Sequence, residues 1–148
     1  MTRIDFYILQ DVHLAAQRRF ACRLATRALS GKETPRVVVH MADEDSAREL
    51  DDLLWHYPDK RFVPHSLQGT DGDREAQVLV TWQEPPHYDG VLVNLSTEVP
   101  DFFTRFQRGM EVVVGETRDQ GRERYRFYRH RGYPLYDHKM EDWETAAP

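Results

Sequence analysis

Residues 117–133 read TRDQGRERYRFYRHRGY, and this stretch has the densest chemistry in the chain. Six arginines stand here against Asp119 and Glu123, a local net of +4 in a protein whose formal net charge is −5, so the remainder carries −9. At roughly 100° per residue on a helix, Arg118, Arg122, Arg126 and Arg129 fall in one sector with Tyr125 at its edge. Arginine supplies more than charge. Its planar fork grips a carboxylate or phosphate through two parallel hydrogen bonds and stacks on aromatic rings. Such a stripe suits an acidic peptide, a C-terminal carboxylate or a phosphate. The plain alternative is a solvated helix face in a chain where 30% of residues are charged.

Other chemistries lack their residues. After the apolar run at 4–9 the chain continues Gln10-Asp11-Val12-His13, with neither GxGxxG nor GxxxxGK[ST], so no loop amides are offered to a pyrophosphate. A GxSxG nucleophile elbow is also missing from the sequence. The seven histidines (His13, His40, His56, His65, His87, His130 and His138) have no metal-ligand spacing. Asp43, Glu44 and Asp45, like Asp51 and Asp52, read as a solvated acidic face, with no pair set apart by environment as acid and base. The expectation is a chain that is not an enzyme, with no catalytic residue, cofactor or metal. The single cysteine, Cys22, lies in a helical pattern, which reads as a buried thiol in a reducing compartment, and the expected location is cytoplasmic.

A second unusual stretch spans 53–67, LLWHYPDKRFVPHSL. Here Trp55 ends a helical pattern and Phe62 heads an apolar cluster in what otherwise reads as a loop. These rings either staple the loop to the core or form a docking surface, since aromatic anchors dominate protein–protein hot spots.

The elements that must position these residues alternate between strand and helix. Residues 4–9 read as a strand and 14–29 as a helix with Phe20, Ala21, Leu24, Ala25 and Ala28 on one face, with Gly31 as its terminator. Residues 37–39 are apolar without alternation, as in a strand covered on both faces, and Asp43 then caps a helix that runs to about residue 55. Strands follow at 78–82, 91–95 and 110–114, with a short helix at 100–107 bearing Phe102, Phe103 and Phe106. The basic helix closes the fold. This pattern predicts an α/β fold, three-layer α/β/α with a mostly parallel sheet, of Rossmann-like topology but without a nucleotide-binding loop. A chain of 148 residues suggests one domain, over residues 1–136, with 137–148 as a loose tail, polar apart from Trp143. No apolar run approaches the length of a membrane span, and the opening residues are not those of a signal peptide.

Three pieces of sequence together resemble one family: Ile4-Asp-Phe-Tyr-Ile-Leu9, then Leu54-Trp55 followed by Phe62-Val63-Pro64-His65, then Arg122-Glu-Arg-Tyr-Arg126 with Tyr128, Arg129 and Gly132. In order and spacing they are similar to the chi subunit of bacterial DNA polymerase III, an accessory of the clamp-loader complex. The likeness runs from about Arg3 to Leu135, with 113–117 shortened. The resemblance implies a non-catalytic adaptor in DNA replication with two protein partners. The C-terminal tail of single-stranded-DNA-binding protein, acidic and ending in phenylalanine, is expected on Arg118, Arg122, Tyr125 and Arg126. The psi subunit, or a helicase using the same surface, is expected on Trp55 and Phe62. DNA is then reached only indirectly. The rival expectation is a direct nucleic-acid-binding module using the arginine stripe on phosphates. Against it stand the acidic remainder of the chain and the want of a stacking platform.

Overall fold

The computed structural model describes residues 1–30, 36–58 and 63–145. Gly31 and Phe62 lie outside the described residues. Seven strands form one sheet: β1 (Arg3–Leu9), β2 (Val37–His40), β3 (His65–Leu67), β4 (Val78–Thr81), β5 (Val91–Asn94), β6 (Arg108–Val113) and β7 (Leu135–Met140). Their spatial order is β3-β4-β2-β5-β6-β1-β7, and every pairing is parallel. Among the described residues the α-helices are α1 (Leu14–Ser30), α2 (Glu44–Leu54) and α3 (Arg118–His130).

The topology decides which face each helix covers. The crossovers through α1 and α2 carry the chain toward the β3 edge, whereas the crossover through α3 carries it from β6 over β1 to β7. Right-handed crossovers running in opposite directions must lie on opposite faces. Two cores result. Phe20, Ala21 and Leu24 of α1 and Ala47 and Leu50 of α2 pack on Val37, Val39, Val91, Val93, Met110 and Val112. On the other face, Tyr128 of α3 and Phe102, Phe103 and Phe106 pack on Ile4, Phe6, Val38 and Leu92. The short valine-rich strands therefore lack alternation because both of their faces are covered.

Local chemistry fixes the element ends. Asp43 caps α2: its carboxylate accepts the Ser46 amide at 2.8 Å, and Ser46 Oγ in turn takes the Asp43 amide at 3.4 Å. The expected helix at 100–107 is a shorter 3₁₀ turn, Asp101–Arg105, whose rings are drawn into the core. The stretch expected as loop before residue 67 includes the short edge strand β3.

The expected loose tail is corrected by the structure. Residues 135–140 form β7 along β1, with Ile4 opposite Leu135 and Leu9 opposite Met140. Trp143 is buried, edge-on to Phe20 at 5.1 Å, and its indole donates to Asp11 Oδ1 at 2.8 Å. Glu144 pairs with Arg19 at 2.9 Å and accepts from the Tyr57 hydroxyl at 3.0 Å. Polar composition concealed the strand because β7 has only one neighbouring strand among the described residues and keeps much of its surface in water.

Candidate protein-docking site

The basic helix is placed by its inward residues. A 3₁₀ turn at Gly115–Thr117 leads into α3 and is tied to the β1–α1 connection, where the amides of Gly115 and Glu116 both donate at 2.9 Å, to the carbonyls of Asp11 and Val12. Gly121 lies so close to β6 that a Cβ there would stand 2.8 Å from a Val113 methyl. Arg124 and Tyr128 follow on the same inward face, at i+3 and i+7, and both reach Glu111 of β6. Arg124 Nε donates to Glu111 Oε1 at 2.9 Å, and the Tyr128 hydroxyl donates to Oε2 at 2.8 Å. Asn94 Nδ2 adds a donor to Oε2 at 3.0 Å, and Arg124 Nη1 reaches the Thr97 carbonyl at 3.2 Å. Burial pushes the Glu111 carboxyl up, and the Arg124 guanidinium opposes this. Burial also raises the Tyr128 phenol, with the Glu111 charge adding to it.

With that face fixed, Arg118, Arg122, Arg126 and Arg129 project into solvent. Arg118 and Arg129 have no carboxylate partner among the described residues; Arg122 stands 3.9 Å from Asp119, and Arg126 pairs closely with Glu123 at 2.6 Å. Tyr125 is half-buried at the border of the row. Its ring meets Phe6 edge-on at 5.0 Å, and its hydroxyl donates to Asp137 Oδ2 of β7 at 3.3 Å. Arg118, Arg122, Tyr125 and Arg129 thus line the flank of α3 that borders β7, while Arg126 points further out. Arg118 opens the helix, at the positive end of its dipole, where a cation is mildly unfavourable. Such a placement is a local cost that a ligand's negative charge would relieve. Sequence reasoning overlooked two parts of this site. Arg124 belongs to the interior, which the spacing of Gly121, Arg124 and Tyr128 could have signalled. Strand β7 bounds the site, for which the polar sequence gave no sign.

Trp55 follows α2 and is 57% exposed, with His65 edge-on to its ring at 4.8 Å. Val63 beside it is buried, whereas Pro64 is exposed. The loop around it is bound to the body through Tyr57, whose hydroxyl accepts from Arg23 Nε at 2.7 Å. Phe62, expected to act with Trp55, is outside the described residues.

Beyond the carboxyl ends of β2, β5 and β6 lies a cavity of about 420 Å³ bordered by Leu14, Asp43, Ser96, Glu116 and Arg124. Open α/β sheets often hold ligands in such a crevice. An anion there would meet the Asp43 and Glu116 carboxylates, and the Asp43 carboxylate already takes an amide at the start of α2. Among the described residues no group of histidine, cysteine and carboxylate side chains is arranged to hold a metal ion, and no helix is long and apolar enough to cross a membrane.

A family model described as "DNA polymerase III chi subunit, HolC" matches residues 1–136. The chain belongs to the DNA polymerase III chi subunit family. It is 41% identical over 143 residues to the DNA polymerase III subunit chi of Pseudomonas aeruginosa, covering 95% of this chain and 98% of that one. It is 33% identical over 144 residues to the subunit chi of Escherichia coli, covering 91% of this chain and 96% of that one. The subunit chi of Haemophilus influenzae is 31% identical over 136 residues, 88% and 92% of the two chains. The family match ends at residue 136, just inside β7.

Proposed function

We propose that this chain is a non-catalytic, cytoplasmic accessory subunit of the bacterial replicative polymerase that couples the clamp loader to single-stranded-DNA-binding protein. The observation that supports this reading is the exposed guanidinium row on α3, with Arg118 and Arg129 lacking carboxylate partners among the described residues, beside the half-buried ring of Tyr125. A tail that is acidic and ends in an aromatic residue and a free carboxylate has the complementary chemistry. Arg122 meets the terminal carboxylate or an adjacent acidic side chain, Tyr125 flanks the terminal ring, and Arg118 and Arg126 attract the acidic stretch. The exposed Trp55, with Phe62, docks the psi subunit or a helicase on a separate surface, and DNA is reached only through the partner.

The test is a titration with the C-terminal peptide of the organism's own single-stranded-DNA-binding protein. Arg122→Ala should weaken binding by about tenfold or more, in line with roughly 1.5–3 kcal/mol for one hydrogen bond to a charged group. Wild-type affinity should fall as salt rises, because the contact is exposed. Trp55→Ala should leave the peptide affinity unchanged and weaken psi or helicase binding. If Arg122→Ala binds the peptide as tightly as wild type at matched ionic strength, Arg122 is not in the site. Tight binding of a bare oligonucleotide by the isolated chain would favour direct contact with nucleic acid instead.

A further inference from the structure

We infer that the free edge of β7 is itself a docking surface, which takes an acidic peptide as an eighth, extended strand beside the arginine row of α3. The register supplies the backbone part of the argument. Ile4 lies opposite Leu135, and its amide donates to the Pro134 carbonyl at 2.9 Å. In a parallel ladder each residue so placed bonds the residues on either side of its partner. The groups of Tyr136, His138 and Met140 are therefore spent on β1, and the N–H and C=O groups of Leu135, Asp137 and Lys139 face outward. No further strand among the described residues pairs with them.

Edge strands are usually blunted by shortness, proline, a bulge or a covering helix. The opposite edge, β3, has three residues, whereas β7 has six, with Pro134 just before it and regular pairing throughout. The strand is also held at its middle and beyond its C-terminal end. His138 Nε2 stands 2.8 Å from the buried Asp5 carboxylate, its ring stacks on Tyr7 at 4.6 Å, and Trp143 anchors the chain beyond. The strand is thus a rigid template with a row of unpaired donors and acceptors.

Charge selects the occupant. The Tyr125–Asp137 hydrogen bond fixes the arginine flank of α3 directly beside the strand. Asp137 is the one acid on that side of β7, and the Tyr125 hydroxyl donates to it, while Lys139 adds a cation. A peptide strand on this edge would present every second side chain to Arg118, Arg122 and Arg129, so an extended acidic segment is matched in both backbone and charge. This inference rests on the tail-binding reading above and adds the mode of binding.

The test uses the acidic C-terminal peptide of single-stranded-DNA-binding protein. In the wild-type chain, saturating peptide should slow hydrogen exchange at the amides of Leu135, Asp137 and Lys139. Lys139→Pro deletes one outward N–H at an edge position where proline is tolerated, and Lys139→Ala controls for the lost charge. Lys139→Pro should bind the peptide at least tenfold more weakly than Lys139→Ala. The inference is overturned, with the tail-binding reading intact, if exchange at the three amides is unmoved and the two variants bind alike while Arg122→Ala still loses affinity. A wild-type chain that fails to bind the peptide at all overturns both. It is overturned too if the edge pairs with a second copy, seen as a dimer in sedimentation that Lys139→Pro dissociates without altering peptide affinity. Should Lys139→Pro fold poorly, exchange in the wild-type protein decides.

Discussion

Removing the Arg124 guanidinium while keeping most of its volume, as in Arg124→Met, tests what holds the basic helix in place. The side chains of Arg124 and Glu111 are 5% and 1% exposed, so neither end of the pair is screened by water. Breaking a buried ion pair by deleting one partner typically costs about 3–5 kcal/mol, because the other charge stays buried and uncompensated. Glu111 would keep the donors Asn94 and Tyr128, which places the expected loss near the lower end, about 3 kcal/mol. That is a large share of the roughly 5–15 kcal/mol that stabilises a domain. The loss should depend on pH. Burial already raises the Glu111 carboxyl above its ordinary value of 4.5, and without Arg124 it rises further. A carboxyl raised in the folded state binds its proton more tightly there than in the unfolded chain. The penalty is therefore absent below pH 4.5 and grows as pH rises through the folded value. Urea unfolding followed by circular dichroism at about pH 5 and about pH 8 should show a smaller deficit at the lower pH. A deficit below about 1 kcal/mol at the higher pH would refute the view that this pair anchors α3. A deficit equal at both would refute the account of Glu111.

Burial pushes His40 down from 6.5 to about 4, so the unfolded chain takes up a proton between those values that the folded chain refuses. Stability should accordingly fall by up to about 3 kcal/mol as pH drops through that window, and NMR titration should find the His40 ring neutral at pH 5.5. Asp5 adds a loss in the same direction at lower pH: burial raises its carboxyl, but hydrogen bonds from Arg3, His138 and Arg108 bring it below 3.8. It therefore stabilises the fold above that value and ceases to as pH falls below it, and Asp5→Asn should flatten this acid limb of the stability curve. Trp143→Ala should cost about 3 kcal/mol in urea unfolding with an unchanged slope, and a loss under about 1 kcal/mol would mean that the C-terminal segment packs only loosely.

The parts of this protein set by local rules were legible in its sequence. The valine runs of β2 and β5 lack alternation because both faces are covered, Asp43 caps α2 through its own carboxylate, and the 3.6-residue period gathers Arg118, Arg122, Arg126 and Arg129 on the exposed side of α3. The missing glycine loop and the family resemblance from about Arg3 to Leu135 were likewise plain in the order of residues. Tertiary structure alone decided the rest. Arg124 looks like its five neighbours in the sequence, yet it is interior because Glu111, thirteen residues away on β6, waits beneath it. Residues 135–140 are polar and read as a tail, yet they form a strand because β1 offers an unpaired edge, and a backbone ladder does not depend on side-chain polarity. Trp143 is buried because Phe20 and Asp11, more than 120 residues earlier, provide its contacts. Periodicity and capping act within a few residues and are written in sequence. Pairings that join distant segments depend on where the fold brings them, and those pairings shape the border between α3 and β7.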